Sequence, residues 1–142
     1  MTRAAVGLVL GLTLAPGLAG DTPKKPKKPS LELRVAPRMA FSPVTAFFTA
    51  ELTGGDEVEE LYCPEVLWEW GDGGKSVQEA DCDPFEPGKT TIQRRYTAEH
   101  EYKRAGSYYA QVTLRRSERN VAAASVRLTV RPGIGDREGP GS

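Results

Sequence analysis

The chain has 142 residues, with 19 Lys and Arg against 19 Asp and Glu, one histidine and two cysteines. That length allows one domain of ordinary size with short extensions, and a formal net charge of zero gives no overall field to hold a polyanion. Two cysteines and one histidine are also too few for a structural zinc site, which takes four ligands.

Residues 1–19 read as a secretory signal peptide: Arg3 supplies the positive start, Ala4 to Leu14 form an apolar run, and Gly17 and Ala19 are the small residues before the cleavage point. The apolar run is shorter than the ~20 residues a membrane-spanning helix needs. No transmembrane segment is therefore expected after signal cleavage, and the mature chain is expected to be exported to a periplasm or to the outside of the cell. Residues 20–30 hold four lysines and three prolines, a composition that cannot bury a core and predicts a solvated linker. Residues 31–131 form the expected domain, with 13 Lys and Arg against 16 Asp and Glu, a net −3, while the linker carries +3. Positive charge thus sits on the linker and not on the fold, which argues against nucleic acid as a partner. Residues 132–142, rich in glycine and proline without an apolar pattern, read as a disordered tail.

Within the domain the hydrophobic period is two. Leu31, Leu33 and Val35 make a short first strand, and Ala46, Phe48, Ala50 and Leu52 alternate with Thr45, Phe47, Thr49 and Glu51. Ile92, Arg94 and Tyr96 suggest a strand leading to a corner at His100. Tyr108, Ala110, Val112 and Leu114 form another inward set, as do Ala124, Val126, Leu128 and Val130. Ser42-Pro43 and Thr53-Gly54-Gly55 punctuate these runs, and no helical period of any length occurs. Short strands between glycine and proline turns in an exported chain predict an all-β sandwich.

Asp72-Gly73 suits the two central positions of a tight hairpin, since both residues accept positive φ. That register pairs Trp68 with Val77 and Trp70 with Lys75, and it sets Cys63 opposite Cys82, so a disulfide is expected. Two free thiols, or half of a metal site, are the alternative. Pro64 and Pro84 beside the cysteines suggest that the bridge closes a loop base and not a regular ladder.

The run Trp68-Glu69-Trp70-Gly71-Asp72-Gly73, followed by His100-Glu101-Tyr102 and Gly106-Ser107-Tyr108, resembles the signature of the polycystic kidney disease (PKD) domain, usually written W-D-F-G-D-G with a later H-x-Y and G-x-Y. The resemblance implies an immunoglobulin-like β-sandwich of about seven antiparallel strands. It makes Trp68 and Trp70 core residues, Gly71, Asp72 and Gly73 a fixed turn, His100 and Tyr102 framework residues, and Tyr108 a tyrosine-corner residue after Gly106. Glu69 departs from the usual aspartate, which puts any turn hydrogen bond by that carboxylate in doubt. Asp72 could serve as a weak calcium ligand, but calcium takes six or more oxygens and no metal or cofactor is expected.

No serine or cysteine lies in a nucleophile-elbow context, and adjacent acids such as Glu59 and Glu60 fall in a loop, so no catalytic residue is assigned. A fold is a scaffold whose activity must be argued from a site. The expected function is a non-catalytic interaction module that touches an extracellular or envelope protein, or a surface polysaccharide. Phe47 and Tyr109, outward by alternation, are the candidate contact residues. The competing expectation is a stand-alone structural envelope protein that associates with itself.

Overall fold

The computed structural model describes residues 28–137 together with Gly7, Gly11 and Gly17. The expected signal peptide, apart from those three glycines, most of the linker and positions 138–142 of the tail lie outside the described residues. Among the described residues no helix is long and apolar enough to cross a membrane.

Eight strands follow in order: β1 (Ser30–Ala36), β2 (Met39–Phe41), β3 (Val44–Thr53), β4 (Glu65–Glu69), β5 (Lys75–Gln78), β6 (Arg95–Tyr102), β7 (Gly106–Arg116) and β8 (Arg119–Arg131). They form a three-stranded sheet of order β1-β3-β6 and a five-stranded sheet of order β2-β8-β7-β4-β5. Two sheets in which β3 pairs with β6 and β4 with β7, across connections that skip their sequence neighbours, make an immunoglobulin-like sandwich. The inner faces follow the alternation. Ala46, Phe48, Ala50 and Leu52 of β3 meet Ala110, Val112 and Leu114 of β7 and Val126, Leu128 and Val130 of β8 in one buried core. Phe48 lies at its centre, with ring centroids 5.1 Å from Trp70, 6.3 Å from Trp68 and 6.5 Å from Tyr102.

The first strand is split. Pro37 has no N–H to give to a ladder, and beyond it β2 crosses to the other sheet and pairs in parallel with β8, so one strand pair is not antiparallel. The expected strand at Ile92, Arg94 and Tyr96 begins at Arg95 and runs through His100 to Tyr102, so His100 stands within a ladder, opposite Ala46, and not at a corner. The first residues of the expected tail are tied down: Gly133 N–H donates to Ser42 Oγ at 3.0 Å, the Ser42 hydroxyl bonds Asp136, and Ile134–Arg137 form a 3-10 turn. A Cβ at Gly133 would lie 1.9 Å from the Ser42 carbonyl oxygen, so that approach depends on glycine.

The hairpin between β4 and β5 differs by one residue from the expected register. Leu67 faces Val77, Trp68 faces Ser76 and Glu69 faces Lys75. The loop is Gly71-Asp72-Gly73, closed by Trp70 N–H donating to the Gly74 carbonyl at 3.1 Å. Glycines at both ends of the loop, with φ of +83° and +93°, permit the three-residue turn. The Asp72 carboxylate fixes it by accepting the Gly74 N–H at 2.9 Å. Cys63 and Cys82 are joined by a disulfide with Cα atoms 6.3 Å apart, beyond the end of the β4–β5 ladder.

Candidate functional site

The signature residues converge at one end of the sandwich. Trp70 directly follows β4 and stacks on His100 of β6, with centroids 4.7 Å apart and planes 4° from parallel. Trp68 stacks on Trp70 from the core side at 5.5 Å. His100 Nε2 meets Asp72 Oδ2 at 2.6 Å, and the Tyr102 ring stands edge-on to the imidazole at 4.8 Å. The buried Tyr102 hydroxyl donates to the Trp70 carbonyl at 2.8 Å, and the Tyr108 hydroxyl donates to the Arg104 carbonyl at 2.7 Å, four residues upstream. Gly106 leaves room for that ring: a Cβ there would lie 3.2 Å from Tyr108 Cζ.

Electrostatics follow from these partners. Burial pushes the Asp72 carboxyl upward, but the His100 hydrogen bond, the Gly74 N–H and the imidazole charge together hold it below the ordinary carboxylate value. Burial, then the nearby Asp72 charge, raises the Tyr102 phenol well above its ordinary value, so it stays a neutral donor. Both Asp72 oxygens are engaged, and the His100 nitrogen nearest a carboxylate is tied to a turn. These bonds tie the loop between β4 and β5 to β6. Among the described residues no three His, Cys, Asp or Glu side chains gather in a group that could hold a metal.

The surface divides differently from the expected contact pair. Phe47 and Tyr109 are both exposed, 56% and 63%, but Phe47 is on β3 and Tyr109 on β7, so they point from opposite outer faces of the sandwich. They cannot form one platform. Instead, Tyr109 shares the outer face of the five-stranded sheet with Met39 and Phe41 of β2 and Val77 of β5, all exposed. The register settles this: Met39 pairs with Thr129, Phe41 with Arg131, and Tyr109 with Arg127, residues that alternate with the buried Leu128 and Val130. The Arg127 guanidinium lies 5.6 Å from the centroid of the Tyr109 ring. A cavity of about 520 Å³ adjoins the rim of this face between Phe41, Pro43, Pro132 and Ile134.

No protein-family model and no curated protein matches the chain. Among solved structures it is similar to the PKD domain of an M14-like peptidase from a Thermoplasmatales archaeon, at 16% identity and a TM-score of 0.49, covering 77% of this chain and 100% of that one. It is also similar to the CARDB domain of a Pyrococcus furiosus protein, crystallised in complex with di-metal ions, at 9% identity and a TM-score of 0.47, covering 76% and 96%. The solution structure of that CARDB domain aligns at 12% identity and a TM-score of 0.47, covering 72% and 94%.

Three residues of the exposed face escape a reading by alternation. Met39 and Phe41 lie in a three-residue strand too short to show a period, between Pro37 and Pro43. Val77 is assigned inward by the two-residue turn, and the one-residue shift carries it to the other side of the sheet.

Proposed function

We propose that the chain is an exported, non-catalytic binding module that contacts a protein partner through the outer face of its five-stranded sheet. One observation carries the reading: of six large apolar side chains that stand exposed among the described residues, Met39, Phe41, Val77 and Tyr109 share that face. Scattered single hydrophobics need no explanation, whereas Met39, Phe41 and Tyr109 stand within two strands of one another on β2 and β7, with Val77 on the far edge strand. Arg127 beside Tyr109 adds a residue pair of the kind enriched at protein interfaces. The signature cluster supports the same reading indirectly, because Trp70, Asp72, His100, Tyr102 and Tyr108 engage polar side-chain atoms in bonds within the fold. The disulfide, and an N-terminus that reads as a signal peptide, support export to a periplasm or beyond.

The test places a photo-crosslinking amino acid at Phe41, at Tyr109, or at Lys89 in the loop between β5 and β6, in the full chain exposed to envelope extract. Protein adducts from the first two positions and none from the third are expected. Retention on a polysaccharide that Tyr109→Ala abolishes, with no protein adduct at either position, would replace the protein partner by a carbohydrate one.

A further inference from the structure

The two outer faces of the sandwich carry charge of opposite sign around an exposed aromatic. On the three-stranded sheet, Arg34 pairs with Glu32 at 3.2 Å and Arg95 with Glu51 at 2.9 Å. Glu99 and Glu101 of β6 are left without a cationic partner among the described residues. Glu99 stands directly across the ladder from Phe47, and Glu101 from Thr45. On the five-stranded sheet, Lys75 pairs with Glu69 at 3.6 Å. Arg127 and Arg131 of β8 are left without a carboxylate partner among the described residues, Arg127 directly across from Tyr109 and Arg131 beside Phe41. Each face thus offers an aromatic flanked by unneutralised charge, acidic on one side of the molecule and basic on the other.

We infer that the partner at the five-stranded face is a second copy of this chain, which presents its own three-stranded face with Phe47, Glu99 and Glu101. The inference rests on the proposed role of that face and names its occupant. Stacked sheets pack about 10 Å apart, a distance at which Phe47 of one copy reaches the Tyr109 and Phe41 region of the next while the carboxylates meet the guanidinium groups. Two copies joined through the same face would set like charges against each other, Arg127 and Arg131 against themselves, so charge favours the front-to-back arrangement. Because the two faces lie on opposite sides of one sandwich, the contact is heterologous, and its repetition gives an open stack and not a closed dimer. Three strands about 4.8 Å apart and eight residues long offer a plan area only about 14 Å by 26 Å. Over both partners that is about 700 Å², below the range of stable specific interfaces, so association is weak, reversible and sensitive to salt.

Sedimentation velocity of the purified mature chain over a concentration series tests this. The wild type is expected to form a ladder of oligomers, reduced at least tenfold in association constant when salt rises from about 0.1 M to about 1 M and the screening length falls from ~10 Å to ~3 Å. Glu99→Lys with Glu101→Lys makes both faces basic, and Arg127→Glu with Arg131→Glu makes both acidic. All four side chains are exposed, so both variants are expected to fold, which far-ultraviolet dichroism checks. Each variant alone is expected to be monomeric, and an equimolar mixture is expected to associate, since the acidic variant keeps the native three-stranded face and the basic variant the native five-stranded face. A wild type that stays monomeric throughout overturns the self-association, as does a Glu99→Lys, Glu101→Lys variant that associates like the wild type. If the wild type is monomeric while Phe41 and Tyr109 still crosslink to another protein in extract, the stack is wrong and the contact face stands. Loss of both removes the face as well.

Discussion

Replacing Asp72 with Asn examines the contact between the β4–β5 loop and β6. Asp72 Oδ1 accepts the Gly74 N–H at 2.9 Å, and Oδ2 meets His100 Nε2 at 2.6 Å. A carboxyl whose folded value lies below its unfolded value, as that of Asp72 does, adds stability that is complete above the unfolded value of about 4. This contribution is lost as the pH falls through the folded value. Asn keeps an oxygen for Gly74 but offers no charge to His100, so the loss is one charge-assisted hydrogen bond, about 1.5–3 kcal/mol when fully buried. The two side chains are 22% and 27% exposed, which lowers the expectation to about 1–2 kcal/mol at neutral pH. Urea denaturation followed by tryptophan fluorescence reads it directly, because Trp70 stacks on the imidazole. With a slope of about 1–2 kcal/mol per molar urea for a domain of this size, the midpoint of Asp72→Asn falls by roughly 1 M at pH 7. The gap between variant and wild type should narrow as the pH falls below the unfolded value of about 4 and through the lowered folded value of Asp72. A gap that stays constant from pH 7 down to the acid limit of folding, or none at pH 7, would refute the reasoning.

Three further substitutions address the same end of the molecule and the bridge. Tyr102→Phe strands the buried Trp70 carbonyl that its hydroxyl serves and is expected to cost about 1–3 kcal/mol by denaturant midpoint; a cost below about 0.5 kcal/mol would mean that the carbonyl finds another donor. Gly71→Ala must hold a φ of +83° and place a Cβ 2.5 Å from the Tyr109 carbonyl oxygen, whereas Gly73→Ala, with a φ of +93°, meets nothing within 4 Å. The first is expected to cost at least about 2 kcal/mol and the second about 1 kcal/mol, from the left-handed backbone alone, a difference of roughly 4–8 °C in melting temperature per kcal/mol. Cys63→Ser with Cys82→Ser opens a loop of 19 residues' separation, and the loop-entropy argument gives a loss of about 3 kcal/mol in calorimetric stability without a change in far-ultraviolet dichroism.

The strands that alternate over eight or more residues were legible because burial repeats along them: Phe48 and Ala50 in β3, Val112 and Leu114 in β7, Leu128 and Val130 in β8. The hairpin was legible to within one residue. Asp-Gly favours a two-residue turn, but Gly71 is equally free to take positive φ, and the extra loop residue lets Asp72 bond Gly74. No local propensity decides between those turns, since the deciding bond to His100 comes from another sheet. The short β2 was not legible, because its parallel pairing with β8 is a contact between residues some 90 positions apart. Phe47 and Tyr109 illustrate a general limit: alternation says that a side chain points outward, but which of two sheets it points from depends on pairing.

The loop that shifts the register also ties the core to the surface. Moving the pairing by one residue brings Ser76, and not Val77, across from Trp68, and the Ser76 hydroxyl then accepts the Trp70 indole N–H at 3.1 Å. A valine there would leave that donor without an acceptor in a part-buried position, at the cost of a lost hydrogen bond. The same shift turns Val77 outward beside Leu67, where it joins the exposed face. Gly71, at the head of the loop, lies against the backbone of Tyr109, close enough that any side chain would displace it. A substitution at Gly71 therefore acts on the contact face through the position of the strand that carries Tyr109. Gly71→Ala should accordingly weaken association at the five-stranded face by more than its loss of global stability accounts for, and Gly73→Ala should leave association unchanged wherever both variants remain folded.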